Sequence, residues 1–334
     1  MSRPRTVVLL DRAMQQRVFA GADLDRIRAV TDLAEACDDT FTADDQLAAM
    51  RDADVIITGW GSHPITTVML DAAPNLKLMC HSAGSIKHFI NESFATRGIR
   101  VCSAAAALAV GVAEFAFGLM LMSMKAVWLY RDATRRGEFS QTGQLDWVCE
   151  PYGATVGIIG ASAVGREMVR MCRSLALGAI LIYDPYLSCE DAAAMGAEKT
   201  ELDDLMRRSD VVSLHTPPIE ACRHIVNARN FALLKDRAIF INTSRGMCVD
   251  EAALIAELQA GRLFACLDVT DPEPPAPGSP FYTLPNCVLT PHIAGAVKEN
   301  TRRQGALIAD EVEAYTTGRP LRHEVDLARL HLRA

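Results

Sequence analysis

The chain has 334 residues, half of them hydrophobic, and a formal net charge of −7 at neutral pH. That length exceeds one ordinary hydrophobic core and suits two domains. The acidic balance leaves no basic footprint for nucleic acid, and no apolar run reads as long enough to cross a bilayer.

The start, MSRPRTVVLLDRAMQQ, runs from a short basic lead into an apolar strand and a charged helix. It lacks the hydrophobic core and cleavage site of a secretory signal, so a cytoplasmic protein is expected. The ten cysteines (Cys37, Cys80, Cys102, Cys149, Cys172, Cys189, Cys222, Cys248, Cys266 and Cys287) are dispersed. They form no C-x-x-C pair and no Cys/His cluster at metal-ligand spacing, so no metal site is expected. They read as reduced thiols acting as small hydrophobes.

Residues 5–10 (RTVVLL) make a first strand, followed by an Asp-rich region with helical spacing to about residue 50. DVIITG (54–59), LKLMCHSAG (76–84) and RVCSA (100–104) supply three more strands. Strands separated by helical segments imply a small parallel α/β domain. Its strand ends are candidate ligand positions. The turn Ser82-Ala83-Gly84-Ser85 is therefore a candidate anion cradle of backbone N–H groups, or else a plain tight turn.

From 104 to about 136 the chain reads as one long apolar helix, which must be buried on most sides. It is expected to cross between domains and to pack in a subunit interface, burial within one chain being the alternative. The small residues and flanking charge of this stretch argue against a membrane span.

Residues 155–184, TVGIIGASAVGREMVRMCRSLALGAILIYD, then read as strand, glycine turn, amphipathic helix and second strand. This is the first βαβ half of a dinucleotide-binding fold. Gly160 and Gly165 keep the first and third glycines of G-x-G-x-x-G, which serve the tight turn and the close helix–strand approach. The second is replaced by Ser162, which would either crowd a pyrophosphate or bond to it. The helix start still offers N–H groups and a positive dipole end to an anion. Asp184, at the end of the second strand, would take ribose hydroxyls and repel a 2′-phosphate, which favours NAD over NADP.

Four further apolar strands follow: VVSLHTP (211–217), AIFINTSRG (238–246), LFACLDV (263–269) and CVLTPHIAG (287–295). Continuous apolar runs suit strands buried on both faces of a parallel sheet, giving a doubly wound sheet of six. A helix over 251–260 stops at Gly261, and PEPPAPGSP (272–280) is a stiff, donor-poor loop. A last helix, from 298 to about 317, is expected to cross back to the first domain. The resulting division is a Rossmann-type domain over 105–296 and a smaller, discontinuous flavodoxin-like domain from 1–104 and 297–334. Arg245, Glu273 and His292 follow the last three strands, and parallel strands end on one edge, so the three can converge.

On seven motifs in order, the chain resembles the D-isomer-specific 2-hydroxyacid dehydrogenases, the group with 3-phosphoglycerate dehydrogenase and glyoxylate/hydroxypyruvate reductase. They are VAE (112–114), TVGIIGASAVG (155–165), IYDP (182–185), SLHTP (213–217), INTSRG (241–246), LDV…EP (267–274) and TPHIAG (290–295). The resemblance implies an NAD-dependent enzyme that interconverts a 2-oxo acid and a D-2-hydroxy acid in a cleft closed by a hinge. It implies that Arg245 holds the substrate carboxylate and polarises the C2 oxygen. His292 would be the general acid/base, and Glu273 would orient its ring. By the same carry-over, the cofactor contacts are Gly160, Ser162, Ala163, Val164, Gly165 and Asp184 on the turn and second strand. They continue through His215, Thr216, Thr243, Ser244, Arg245, Asp268, His292 and Gly295, with Asp268 approaching the nicotinamide and Gly295 closing the ring side. Ser82, Ala83, Gly84 and Ser85, with Arg245, would bind substrate, Ser85 facing the cofactor as well.

Where the family usually has G-V-D-N-I-D in the first-domain turn, this chain has Gly84-Ser85-Ile86-Lys87-His88-Phe89. Lys87 or His81 would meet a second anionic group, or else both are plain exposed loop residues. An NAD(H)-sensing, corepressor-like binding protein on the same fold stays open as a second reading, as does the same catalytic frame acting on a non-carboxylate such as phosphite. A homodimer is the expected assembly.

Overall fold

A computed structural model describes residues 3–35, 42–139 and 146–332, so Cys37 lies outside the described residues. The chain divides into two compact units, Met1–Leu108 with Ala296–Ala334, and Ala109–Gly295.

The first unit holds Arg5–Val8 (β1), Asp32–Glu35 (β2), Val55–Thr58 (β3), Leu78–His81 (β4) and Arg100–Ser103 (β5). The sheet is parallel, in the order β2-β1-β3-β4-β5, the flavodoxin-like winding. Every residue of β3 and β4 is buried, which is why both read as unbroken apolar runs. Val7, Ile56, Met79 and Phe94 fill one face of the sheet. On the other face Val8, Leu78 and Cys80 pack with Ile308, Ala309 and Val312 of the returning helix Lys298–Thr316. Gly305 lets that helix press close, since a Cβ there would stand 2.4 Å from the Val18 carbonyl oxygen.

The region expected to be helical to residue 50 holds the helices Arg12–Val18, Gly21–Val30 and Ala43–Met50, but also β2. This strand reads Asp-Leu-Ala-Glu, pairs only with β1 and has exposed ends. A polar edge strand carries no apolar alternation, so only its tertiary pairing reveals it.

The second unit holds Thr155–Ile159 (β6), Ala179–Tyr183 (β7), Glu198–Lys199 (β8), Val211–Leu214 (β9), Ile239–Asn242 (β10), Phe264–Leu267 (β11) and Cys287–Leu289 (β12). The order is β12-β11-β10-β9-β6-β7-β8, all parallel. This is the doubly wound dinucleotide-fold order with one more strand at the far edge. The sheet has seven strands rather than six, because β8 is a two-residue Glu-Lys strand, too short and too polar to register.

The long apolar helix is two helices, Ala105–Met124 and Val127–Arg135. Ala126 between them adopts a left-handed backbone with φ of 49°. The Met124 carbonyl accepts the Cys149 N–H at 2.7 Å instead of continuing the helix, and Trp128 Nε1 donates to Ser123 Oγ at 3.3 Å across the break. A second expectation is also overturned. Ala105–Met124, at 20 residues, is long and apolar enough to cross a membrane by length and composition. Its Ala116, Leu119, Met120 and Met124 nevertheless pack with Val156, Ile158 and Ile241 in the core of the second unit.

Candidate active site

The turn after β6 is shaped by two glycines. Gly160 has φ of 100°, and a Cβ there would lie 2.7 Å from the His215 carbonyl oxygen. At Gly165 a Cβ would stand 2.0 Å from the Gly160 carbonyl oxygen, so only glycine lets the helix Ala163–Cys172 start this close to the strand. Ser162 caps that helix, its Oγ accepting the Gly165 N–H at 3.3 Å. The hydroxyl oxygen expected to crowd or bind a phosphate also caps the helix. Ala163 and Val164 occupy the first helical positions, where N–H groups lack intrahelical acceptors. Asp184, after β7, accepts the Ala161 N–H at 2.8 Å through one oxygen and the Tyr186 N–H at 2.8 Å through the other.

After β9, His215 is buried and its Nε2 lies 2.9 Å from Ser213 Oγ. Burial pulls its imidazole down to about 3, so it is neutral near neutral pH. His215 Nδ1 and Thr243 Oγ1 are buried polar atoms without a hydrogen-bond partner, and the equally buried Thr216 Oγ1 has only the Cys248 thiol beside it. Such orphans call for an acceptor or donor from outside the chain.

After β10, Asn242 holds the turn that carries Arg245. Its Oδ1 accepts the Ser244 N–H (2.9 Å) and Oγ–H (3.0 Å), and its Nδ2 donates to the Arg245 carbonyl at 3.0 Å. Arg245 Nη1 donates to the Ser244 carbonyl at 2.6 Å. Gly246 lets the next loop press against this turn, since a Cβ there would stand 2.0 Å from the Thr270 carbonyl carbon. Asn242 and Gly246 were not among the candidate residues, although both lie inside the INTSRG motif.

After β11, Asp268 is almost fully buried and its carboxylate is committed to the loop after β12. It accepts the Thr290 hydroxyl at 2.6 Å, the Ile293 N–H at 2.9 Å and the Ala294 N–H at 2.9 Å. Asp268, the residue expected to approach the nicotinamide, also clamps the His292 loop. His292 itself has a left-handed backbone, φ of 52°, and its N–H donates to the carbonyls of Asp268 and Thr290, each at 3.0 Å. Strain of this kind persists where surrounding bonds over-determine it, often at functional sites. The result is a direct pair: His292 Nδ1 lies 2.7 Å from Glu273 Oε1. Asp268, Glu273 and His292 line one side of a 980 Å³ pocket that Trp128, Arg131 and Phe281 help to close. Among the described residues no hydrogen bond joins Arg245 to this pair. Gly295 is buried at the end of the same loop.

In the first unit, the turn after β4 has Ser82 and Ala83 buried and Gly84 and Ser85 half-buried. Ser82 Oγ donates to the Thr58 carbonyl at 2.8 Å, and Ser103 Oγ to the Ala83 and Gly84 carbonyls at 3.2 and 2.8 Å. His81 is not an exposed loop residue. It ends β4 fully buried, with Nδ1 2.9 Å from Thr58 Oγ1 and its ring 4.5 Å from that of Phe89. Burial pulls it down to about 4, so it carries no charge for an anion at neutral pH. Lys87 is half-buried.

A model of the D-isomer specific 2-hydroxyacid dehydrogenase NAD binding domain matches residues 117–294, more than half of the chain. The chain belongs to the D-isomer specific 2-hydroxyacid dehydrogenase family. It is 30% identical over 292 residues to a D-3-phosphoglycerate dehydrogenase of Methanocaldococcus jannaschii, covering 87% of this chain and 55% of that protein. To a hydroxypyruvate reductase of Thermotoga maritima it is 30% identical over 282 residues, covering 83% and 90%. The chain thus spans about half the length of the phosphoglycerate dehydrogenases matched first, at 55% and 49%. The apo structure of Rhodotorula graminis D-mandelate dehydrogenase superimposes with a TM-score of 0.82 over 97% of both chains at 24% identity, a likeness of fold. The 2-hydroxyacid dehydrogenase match lies wholly inside the second unit, the unit with the glycine turn and the His292–Glu273 pair.

Proposed function

We propose that the chain interconverts a 2-oxo acid and a D-2-hydroxy acid with NAD(H). The observation that carries this reading is the His292–Glu273 pair at 2.7 Å, which follows β11 and β12, with Arg245 following the adjacent strand β10.

The residues present fit a dinucleotide. Gly160 and Gly165 carry no Cβ at the two tightest points of the turn, Ala163 and Val164 open a helix N-terminus, and Thr243 and His215 carry unpaired buried polar atoms. Ser162 contributes by fixing the helix start, and Ser244 and Gly295 shape the nicotinamide side. Asp184 would accept the ribose hydroxyls and repel a 2′-phosphate, so NAD is preferred to NADP. When bound, the nicotinamide supplies or takes the hydride at the substrate C2.

The chain's own residues do the rest. Arg245 would grip the substrate carboxylate with its planar guanidinium and polarise the C2 oxygen. His292 Nε2 would donate a proton to that oxygen in reduction and accept it in oxidation. Glu273 holds the opposite ring nitrogen, fixing the ring's orientation and stabilising the imidazolium. In the first unit, Ala83, Gly84 and Ser85 would form an anion cradle after β4, with Ser82 fixing the turn through its N–H and hydroxyl bonds to the Thr58 carbonyl, and this unit would be the substrate domain. Only seven of the 20 residues of Ala105–Met124 are buried within the chain, which supports a homodimer. The nine described cysteines are free thiols, in keeping with the reducing cytoplasm.

The test is a panel of 2-oxo acids offered to purified protein with NADH and, separately, NADPH. Loss of the reduced-nicotinamide absorbance with at least one acid, faster with NADH, is expected. No consumption with any acid and either cofactor overturns the reading.

A further inference from the structure

We propose that Glu251 is a positioning residue that holds Glu273 on His292 through the backbone of Asp271. The inference rests on reading the His292–Glu273 pair as the acid/base couple. Glu251 is the first residue of the helix Glu251–Gln259, whose start is fixed by Asp250 accepting the Ala253 N–H at 3.1 Å. A side chain on the first turn of a capped helix has a rigid base. Glu251 Oε1 accepts the Asp271 N–H at 2.8 Å, and Glu273 follows two residues later.

The stretch between them has few other anchors. Thr270 Oγ1 donates to the Pro272 carbonyl at 2.9 Å, which shapes the loop internally but ties it to nothing else. The close approach at Gly246 permits contact with the Thr270–Asp271 backbone, yet a van der Waals contact sets no direction. The Glu251 bond is directional, and it comes from outside the loop. It is kept at a cost, because burial pushes the Glu251 carboxyl up to about 7 and the neighbouring Asp271 charge adds to the shift. The Asp271 N–H partly offsets that rise. Burial pushes the Cys287 thiol up, and it is close enough to this carboxyl for the Glu251 charge to add to the rise. A carboxyl group kept against such a penalty, on a backbone N–H two residues from Glu273, is spent on geometry.

Glu251 touches neither substrate nor cofactor in this account, so its removal should lower kcat and leave KM unchanged. Expected for Glu251→Ala is a fall in kcat of about tenfold, a fraction of the ~10²–10⁴-fold that acid/base catalysis contributes. Glu251→Gln keeps an acceptor oxygen and should restore most of the rate. Glu251→Asp keeps a carboxyl group but withdraws the acceptor by a methylene, so it should behave like the alanine variant while preserving the capped helix. In a Glu273→Gln background, Glu251→Asp should cost nothing further, the non-additivity expected of two residues acting as one unit.

A second readout needs no substrate. The low-field imidazole N–H proton of His292, identified by its loss in His292→Gln, should broaden or vanish in Glu251→Asp and persist in Glu251→Gln. If that resonance and kcat are both unchanged in folded Glu251→Asp protein, the proposal is wrong. If the resonance responds as described but no 2-oxo acid is turned over, the positioning role stands and the dehydrogenase reading falls.

Discussion

Asp268 and His292 are bound backbone to backbone, the His292 N–H donating to the Asp268 carbonyl at 3.0 Å, while the Asp268 carboxylate takes donors on either side of His292. One buried residue at the end of β11 thus fixes the loop at the end of β12. The left-handed backbone of His292 is held by this clamp, and the ring is turned towards Glu273.

Removing the clamp should release the loop. Asp268→Ala leaves the Ile293 and Ala294 N–H groups without their acceptor and the Thr290 hydroxyl with only the Leu267 carbonyl at 3.4 Å, and an abandoned buried donor costs ~1–3 kcal/mol. A loss of about 3 kcal/mol in urea unfolding is expected, with Asp268→Asn in between. A loss below about 1 kcal/mol would show that the loop is held elsewhere.

His292→Ala should lower turnover by about 10²–10⁴-fold, the usual contribution of a positioned acid or base. NADH affinity, followed by fluorescence titration, should stay within about twofold, because removing an acid/base changes the transition state more than cofactor binding. Equal loss of both would remove His292 from the acid/base role.

The glycine turn separates two kinds of small residue. Gly165→Ala forces a Cβ to within 2.0 Å of a backbone oxygen, and overpacking against backbone costs ~1–3 kcal/mol or more. Lower thermal stability and weaker NADH binding are expected together. Ser162→Gly should cost only a few tenths of a kcal/mol, as Gly is a tolerable cap. It also frees the Gly165 N–H, so NADH should bind more tightly. Weaker binding would mean that the serine hydroxyl itself serves the cofactor.

Two buried histidines make the fold acid-sensitive. Burial draws His81 down to about 4 and His215 to about 3, from an ordinary 6.5. Each binds a proton more weakly folded than unfolded, so the stability they contribute is present above about pH 6.5 and drains away as pH falls towards 4. Urea midpoints should therefore fall between pH 7 and 4.5, and His81→Asn should flatten part of that slope. An unchanged slope in the variant would exclude His81 as its source.

Much of the architecture is legible in the sequence because buried parallel strands are apolar along their whole length. The runs at β3, β4, β9, β10 and β11 declare themselves in this way. The glycine turn does so too, since Gly160 and Gly165 answer to backbone clearance that no other residue meets. What hid were elements with no composition of their own. The polar edge strand β2, the two-residue β8 and the break at Ala126 depend on a neighbouring strand or a carbonyl's partner distant in the chain.

For the candidate site, residue types on strand ends nominated Arg245, Glu273 and His292, and parallel topology required their strands to finish on one edge. The sequence by itself determined which side chains sit on that edge, because apolar strands and the tight turns after them dictate where each strand stops. Only the tertiary structure decided what each one touches. It joined His292 to Glu273, made Asp268 a clamp on the His292 loop, made Ser162 the cap of its own helix and buried His81. Hydrogen bonds between strand-end loops are set by distances of a few tenths of an ångström, and no local pattern of residues encodes those.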